Sequence, residues 1–283
     1  MPASVPFRKM NGLGNEILVV DLRGRREALG PAAARAIGRR GGQHFDQMMV
    51  LHDAESASTD AYVRIYNIDG SEAGACGNGM RCVSWVVAEE TGRRALRFET
   101  SAGVLEARIT DAGSIAVDMG APRFGWREIP LATPCEDTGA IELSADGVEG
   151  RGLGAASVVS MGNPHAVFWV EDPDAHDLRR LGPLLETHPL FPERANVSLA
   201  HVTSPRSIAV RTWERGAGLT RACGSAACAA AVCAARRGLA ERHVTVTLPG
   251  GPLDVEWRPD DRVWMTGPVQ FERAGVLDAF EAA

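Results

Sequence analysis

Apolar positions in this chain gather into short blocks, and the blocks recur as two matching series. Residues 17–21 and 48–51 are near-continuous apolar runs, the mark of strands covered on both faces, whereas residues 61–66 alternate as a strand with one wet face does. Residues 166–170, 197–202 and 208–213 repeat the series at an offset near 147. Gly14-Asn15 precedes the first series and Gly162-Asn163 the second, and Gln47 and Asn196 stand at similar entry positions. Pro31 opens a helix expected to end at Gly41-Gly42, and Pro173 opens a less regular one running toward His188-Pro189.

The later parts of the halves also match. Each has a helix that ends among glycine and arginine, at Gly92-Arg93-Arg94 and at Arg236-Arg237-Gly238, which suits C-terminal carbonyls. A strand, a turn and a second strand follow, with Gly103-Val-Leu-Glu106 against Gly251-Pro-Leu-Asp254, and residues 115–119 and 263–265 close the copies. This order predicts an α/β protein of the α+β type, each half a twisted mixed sheet wrapped around a central helix. Residues 224–235 are almost all Ala, Val and Cys, so that helix belongs inside a core. The first domain is expected over residues 1–125 and the second over 126–271, with the tail 272–283 packing back on the first. Weak periodicity over residues 126–154 suggests the domain connection there.

The duplication turns two cysteines into a pair. Arg64-Ile-Tyr-Asn67 leads to Ala75-Cys76-Gly77-Asn78-Gly79, and Arg211-Thr-Trp-Glu214 leads to Ala222-Cys223-Gly224-Ser225-Ala226, with 12 residues from arginine to cysteine in both. Each thiol ends a strand-like run and opens a helix, where the helix dipole favours thiolate. Two such thiols, facing each other across a cleft between the halves, can move a proton from one face of a carbon to the other. Cys82, Cys228 and Cys233 fall inside helices and read as core, and Cys135 as incidental.

Composition narrows the chemistry. The chain has 283 residues, 45% of them hydrophobic, 23% charged and 6% aromatic, values ordinary for a globular protein. Net charge is −6 and no Lys/Arg block is dense enough for a phosphate-binding face, which argues against nucleic acid. No run approaches a membrane span and the N-terminus has no signal-peptide core, so a cytoplasmic protein with reduced thiols is expected. There is no Cys-x-x-Cys, and cysteines 223, 228 and 233 recur every five residues, which scatters them around a helix; no metal is expected. Lys9 is the one lysine, so a pyridoxal Schiff base has a single candidate and no cofactor is expected.

Five motifs span most of the chain: Lys9-Met-Asn-Gly-Leu-Gly-Asn15, Asn67-Ile-Asp-Gly-Ser-Glu-Ala73, Ala75-Cys-Gly-Asn-Gly-Met-Arg-Cys82, Gly162-Asn-Pro-His165 and Trp213-Glu-Arg-Gly-Ala-Gly-Leu-Thr-Arg-Ala-Cys-Gly-Ser225. In these the chain resembles the diaminopimelate epimerase family of pyridoxal-independent, two-cysteine amino acid racemases. The resemblance implies two pseudo-twofold domains, interconversion of LL- and meso-diaminopimelate for lysine and peptidoglycan precursors, and a homodimer. It also implies Cys76 and Cys223 as proton carriers, with His165 and Glu214 setting their protonation. Asn15, Gln47, Asn67, Gly77, Asn78, Asn163, Asn196, Glu214, Arg215, Gly224 and Ser225 are implied as substrate contacts. Arg215 suits a distal carboxylate through its bidentate fork. Glu16 and Ile17 stand where the family often has Asp and Phe, and Ser225 and Ala226 where it often has Thr and Gly.

Three rival readings compete. A cofactor-independent racemase of proline, hydroxyproline or another amino acid would use the same thiols, but Arg215 and the many asparagines favour a substrate with a second charged end. A thiol redox protein lacks a local cysteine pair. A noncatalytic binding module would not need both thiols and both helix-opening loops.

Overall fold

The computed structural model describes residues 4–26, 29–39, 44–143 and 153–277. The chain divides into two compact units, Met1–Asp118 with Thr266–Ala283, and Met119–Met265.

The first unit runs β1 (Val5–Asn11), β2 (Glu16–Asp21), α1 (Pro31–Gly38), β3 (Gln47–His52), β4 (Ala61–Asn67), α2 (Gly77–Thr91), β5 (Ala95–Thr100), β6 (Gly103–Ile109) and β7 (Ile115–Asp118). Pairing alternates along the path: β1–β2 antiparallel, β2–β3 parallel, β3–β4 antiparallel, β4–β5 parallel, β5–β6 antiparallel. The apolar runs in β2 and β3 are buried on both faces for a simple reason. Leu18, Val20, Met48 and Val50 share a core with Ala33, Ala34 and Ile37 of α1, while α2 packs on β2 and β3 with Met49 beneath Gly79. The end expected for α1 at Gly41-Gly42 lies outside the described residues.

The second unit runs β8 (Ala156–Ser160), β9 (Pro164–Trp169), α3 (Leu178–Glu186), β10 (Asn196–Ser204), β11 (Ser207–Glu214), β12 (Gly218–Thr220), α4 (Gly224–Arg236), β13 (His243–Leu248), β14 (Gly251–Trp257) and β15 (Val263–Gly267). The pairing pattern repeats that of the first unit: β8–β9 antiparallel, β9–β10 parallel, β10–β11 antiparallel, β11–β13 parallel, β13–β14 antiparallel. The short β12, which the apolar pattern does not announce, folds back on β11. Helix α4 is buried almost throughout, from Ala226 to Ala234. A final strand, β16 (Gln270–Leu277), pairs antiparallel with β1 in the first unit.

The helix expected from Pro173 is not one element. Pro173–Ala175 makes a single 3-10 turn, His176 is extended, and α3 begins afresh after Asp177, whose carboxylate accepts from the Arg179 and Arg180 amides. Two acidic caps, Asp172 and Asp177, each start their own turn, and that splits the segment. Of the weakly periodic stretch, Ile129 and Leu131 are buried in the core of the second unit with Leu178 and Leu185 of α3, and residues 144–152 lie outside the described residues. Among the described residues no helix is long and apolar enough to cross a membrane.

Candidate functional site

In the first unit the strand β4 ends at Asn67 and a turn delivers Cys76 to the N-cap of α2. The Cys76 sulfur accepts from the Gly79 amide at 3.1 Å, as a serine cap oxygen would. Gly79 leaves room for this: a Cβ there would come within 2.4 Å of Met49 Sδ and 3.1 Å of the Cys76 sulfur. Gln47 sits opposite Asn67 in the β3–β4 register, so both amides emerge beside the thiol.

The polarity of that amide pair is fixed from its far end. The Asp69 carboxylate can only accept, and it accepts a hydrogen bond from the Ser71 hydroxyl at 2.6 Å. Ser71 Oγ then accepts from Asn67 Nδ2 at 3.0 Å, and Asn67 Oδ1 accepts from Gln47 Nε2 at 3.3 Å. Gln47 therefore turns its Oε1 to Cys76, which donates to it as a thiol. The Ser71 hydrogen bonds hold the Asp69 carboxyl below its usual range, so it is ionised at neutral pH and anchors the chain.

Asn15 and Asn78 meet at the edge of this group, with Asn78 Nδ2 donating to Asn15 Oδ1 at 3.5 Å. Asp46 holds Asn15 in place, accepting from Asn15 Nδ2 at 3.0 Å and from the Glu16 amide at 2.7 Å. Glu16 reaches Lys9, whose buried Nζ donates to Glu16 Oε2 at 2.6 Å and to the His44 carbonyl. The one lysine amine is thus spent on tying two loops together.

In the second unit Cys223 is the N-cap of α4, the equivalent position, but it is buried, with 5% of its surface exposed. Burial pushes its thiol well up, and the nearby Glu214 carboxylate pushes it further; a hydrogen bond with Ser225 and the Ala226 amide pull the other way. Cys223 is a thiol at neutral pH. Glu214 is oriented by Thr220 of β12, whose hydroxyl donates to Glu214 Oε1.

His165 lies on β9 opposite Asn196 of β10. Its Nε2 is 2.9 Å from Asn163 Oδ1, so Nε2 carries the proton, while Nδ1 is buried without a hydrogen-bond partner. A proton on Nδ1 would be a buried unpaired donor, and burial followed by the Arg215 charge holds His165 down to about 3. The ring is neutral and orients Asn163. Asn196, also buried, has both ends of its amide engaged, donating to the Pro164 carbonyl at 3.0 Å and accepting from the Arg215 amide at 3.0 Å. The Arg215 guanidinium donates to the Glu193 carbonyl at 3.0 Å.

The expected residues therefore fall into two groups: Asn15, Gln47, Asn67, Cys76, Gly77 and Asn78 in one unit, and Asn163, His165, Asn196, Glu214, Arg215, Cys223, Gly224 and Ser225 in the other. Asp46, Ser71, Asp69, Thr220 and Glu186 escape sequence reasoning, because each is a common polar residue in a turn, a short strand or a helix end. Cys82 and Cys233 are pushed up to about 12 by burial, and Cys228 is fully buried, as core thiols should be.

Comparison with known proteins agrees with the motifs. Residues 7–125 and 157–272 match the diaminopimelate epimerase family model. The diaminopimelate epimerase of Nitrobacter hamburgensis is 58% identical, covering 98% of this chain and 96% of the relative. That of Rhizobium meliloti is 57% identical, covering 98% and 93%. Among solved structures, a hydroxyproline epimerase from Agrobacterium vitis with bound trans-4-hydroxy-L-proline superposes with a TM-score of 0.69 at 15% identity, covering 98% of this chain and 94% of that one. A predicted epimerase from Pseudomonas aeruginosa gives a TM-score of 0.68 at 23% identity, covering 96% and 99%. These structures share the fold, including its mixed α+β build, whereas the sequence match extends through both cysteine loops: the chain belongs to the diaminopimelate epimerase family.

Proposed function

We propose that this chain is a cofactor-independent isomerase that interconverts LL- and meso-2,6-diaminopimelate by passing the α-proton between Cys76 and Cys223. The observation that carries the reading is that both cysteines are N-caps of equivalent helices in a duplicated element order. Removing an α-proton builds negative charge beside a carboxylate, so the site must stabilise charge as well as supply a base. Helix geometry leaves first-turn N–H groups, those of Gly77, Gly224 and Ser225 among them, without intrahelical acceptors, and glycine lets a carboxylate approach.

In one direction Cys76 first releases its proton to solvent, then as thiolate takes the α-proton while Cys223 donates its own from the other face; in reverse the roles exchange. Cys223 suits donation because burial and Glu214 keep it loaded. Arg215 takes the distal carboxylate through its guanidinium fork, and Asn163, whose Oδ1 faces His165 Nε2, offers its Nδ2 as a donor. Asn196 supports Arg215 from below. Asn15, Gln47, Asn67 and Asn78 supply amide donors and acceptors on the Cys76 side. The chain acts in the cytoplasm, as a homodimer.

The test is incubation of LL-diaminopimelate, and separately proline, in heavy water. Deuterium at the α-carbon of diaminopimelate alone is expected, and Cys76→Ser and Cys223→Ser should each nearly abolish turnover because a hydroxyl ionises far less readily than a thiol. Near-normal turnover by either variant, or exchange into proline alone, would sink the reading.

A further inference from the structure

Glu186 has no place in the motifs, yet it is 6% exposed and sits at the C-terminus of α3, where the helix dipole disfavours a carboxylate. Its partners explain why it stays. Oε2 accepts from Trp213 Nε1 at 2.6 Å, and Oε1 accepts from the Gly216 amide at 3.0 Å and pairs with Arg194 at 3.3 Å. Its backbone carbonyl accepts from the Ala195 amide at 3.1 Å. Trp213 and Gly216 flank Glu214 and Arg215 in sequence. Arg194 and Ala195 belong to the turn whose Glu193 carbonyl receives the Arg215 guanidinium.

That turn is strained. Arg194 has φ 60°, a left-handed conformation that a non-glycine residue keeps only where its surroundings impose it. Trp213 is pressed from the same side: a Cβ on Gly182 of α3 would lie 2.3 Å from its ring. One buried carboxylate therefore bonds both strands of backbone that hold Arg215, the segment after it through Gly216 and the turn beneath it through Arg194.

We propose that Glu186 is a positioning residue that sets the pose of Arg215, and through it the recognition of the substrate's distal carboxylate. This rests on the reading of Arg215 given above. A bidentate fork must meet its carboxylate in plane, so a loosened Arg215 weakens binding of the distal end more than it slows chemistry at the α-carbon. Glu186→Gln leaves the shape nearly unchanged but sets an amide donor against either the Trp213 N–H or the Gly216 N–H.

The experiment measures kcat and KM for LL-diaminopimelate in wild type, Glu186→Gln, Arg215→Ala and the double variant, with the melting temperature of each. Glu186→Gln should raise KM about tenfold and change kcat less than about threefold, and in the Arg215→Ala background its effect on KM should shrink to less than about twofold. The same factor in both backgrounds, or an unchanged KM in Glu186→Gln, overturns the proposal. A wild-type KM in Arg215→Ala alone instead overturns the assignment of Arg215 to the distal carboxylate, and a rise in Glu186→Gln alongside it overturns the route through Arg215 as well. If Glu186→Gln does not fold, Arg194→Gln carries the test, because that side chain is 56% exposed. It should raise KM about threefold in wild type and not in Arg215→Ala, and no rise in wild type overturns the proposal.

Discussion

Replacing His165 with Gln should remove a large part of this protein's sensitivity to mild acid. In the folded chain burial and Arg215 hold the ring down to about 3, against an ordinary value of 6.5. Below 6.5 the unfolded chain takes up a proton that the folded chain refuses, so stability falls as pH drops from 6.5 toward 3. At about 1.4 kcal/mol per unit the full span is worth roughly 5 kcal/mol, and the part lost between pH 7 and pH 5 is about 2 kcal/mol. Gln does not titrate, and its amide can still donate to Asn163 Oδ1. The assay is urea unfolding at pH 7 and pH 5 followed by tryptophan fluorescence; Trp126, Trp169, Trp213, Trp257 and Trp264 all lie in the unit that holds His165. His52 is also held down by burial, so the readout is the wild-type loss minus the variant loss. A difference below about 0.5 kcal/mol would refute a neutral, buried His165.

Ser71→Ala breaks the chain from Asp69 to Cys76, freeing Gln47 to turn its amide toward the sulfur; Cys76 alkylation at pH 7, read by mass spectrometry, should speed up about threefold or more. An unchanged rate would show that Ser71 does not set the polarity. Gly79→Ala drives a methyl into Met49 and the Cys76 sulfur, so it should destabilise the chain by about 1–3 kcal/mol and cut turnover sharply. Wild-type melting and kcat in that variant would count against the packing.

The duplicated order of strands and helices was legible because period 2 and period 3.6 recur in both halves, and the alternation of parallel and antiparallel pairs follows from it. Both N-cap cysteines were legible too, since a Cys-Gly step recurs at the same distance from an arginine between strand and helix in each half. The break between Pro173 and Leu178 was not, because Asp172 and Asp177 act as caps only once the backbone has turned. Support for the site was the least visible part. Glu186 ends an amphipathic helix and Ser71 occupies an ordinary turn, and only tertiary structure brings them to Trp213 and Asn67. Asn196 was placed at the site by the family resemblance alone, and its bonds to the Pro164 carbonyl and the Arg215 amide become visible only in the fold.

The two halves share a backbone plan but hold their protons differently, and that difference has a measurable consequence. In the proposed two-thiol mechanism, turnover in either direction needs the two thiols to carry one proton between them, so the pH profile belongs to the pair and not to either sulfur. The high affinity of Cys223 for its proton sets the alkaline limb, where the last proton leaves. Burial is the largest cause of that affinity and Glu214 the next. Glu214→Gln removes the charge and keeps the shape, so the alkaline limb of kcat/KM should move to lower pH. The shift must be the same from LL- and from meso-diaminopimelate, because the ratio of the two kcat/KM values is the equilibrium constant of the reaction, which no substitution alters. Substrate ammonium groups titrate on the same limb, but identically in both proteins, so they cancel in the shift. An alkaline limb that stays in place would mean that Glu214 does not face the proton of Cys223 during turnover.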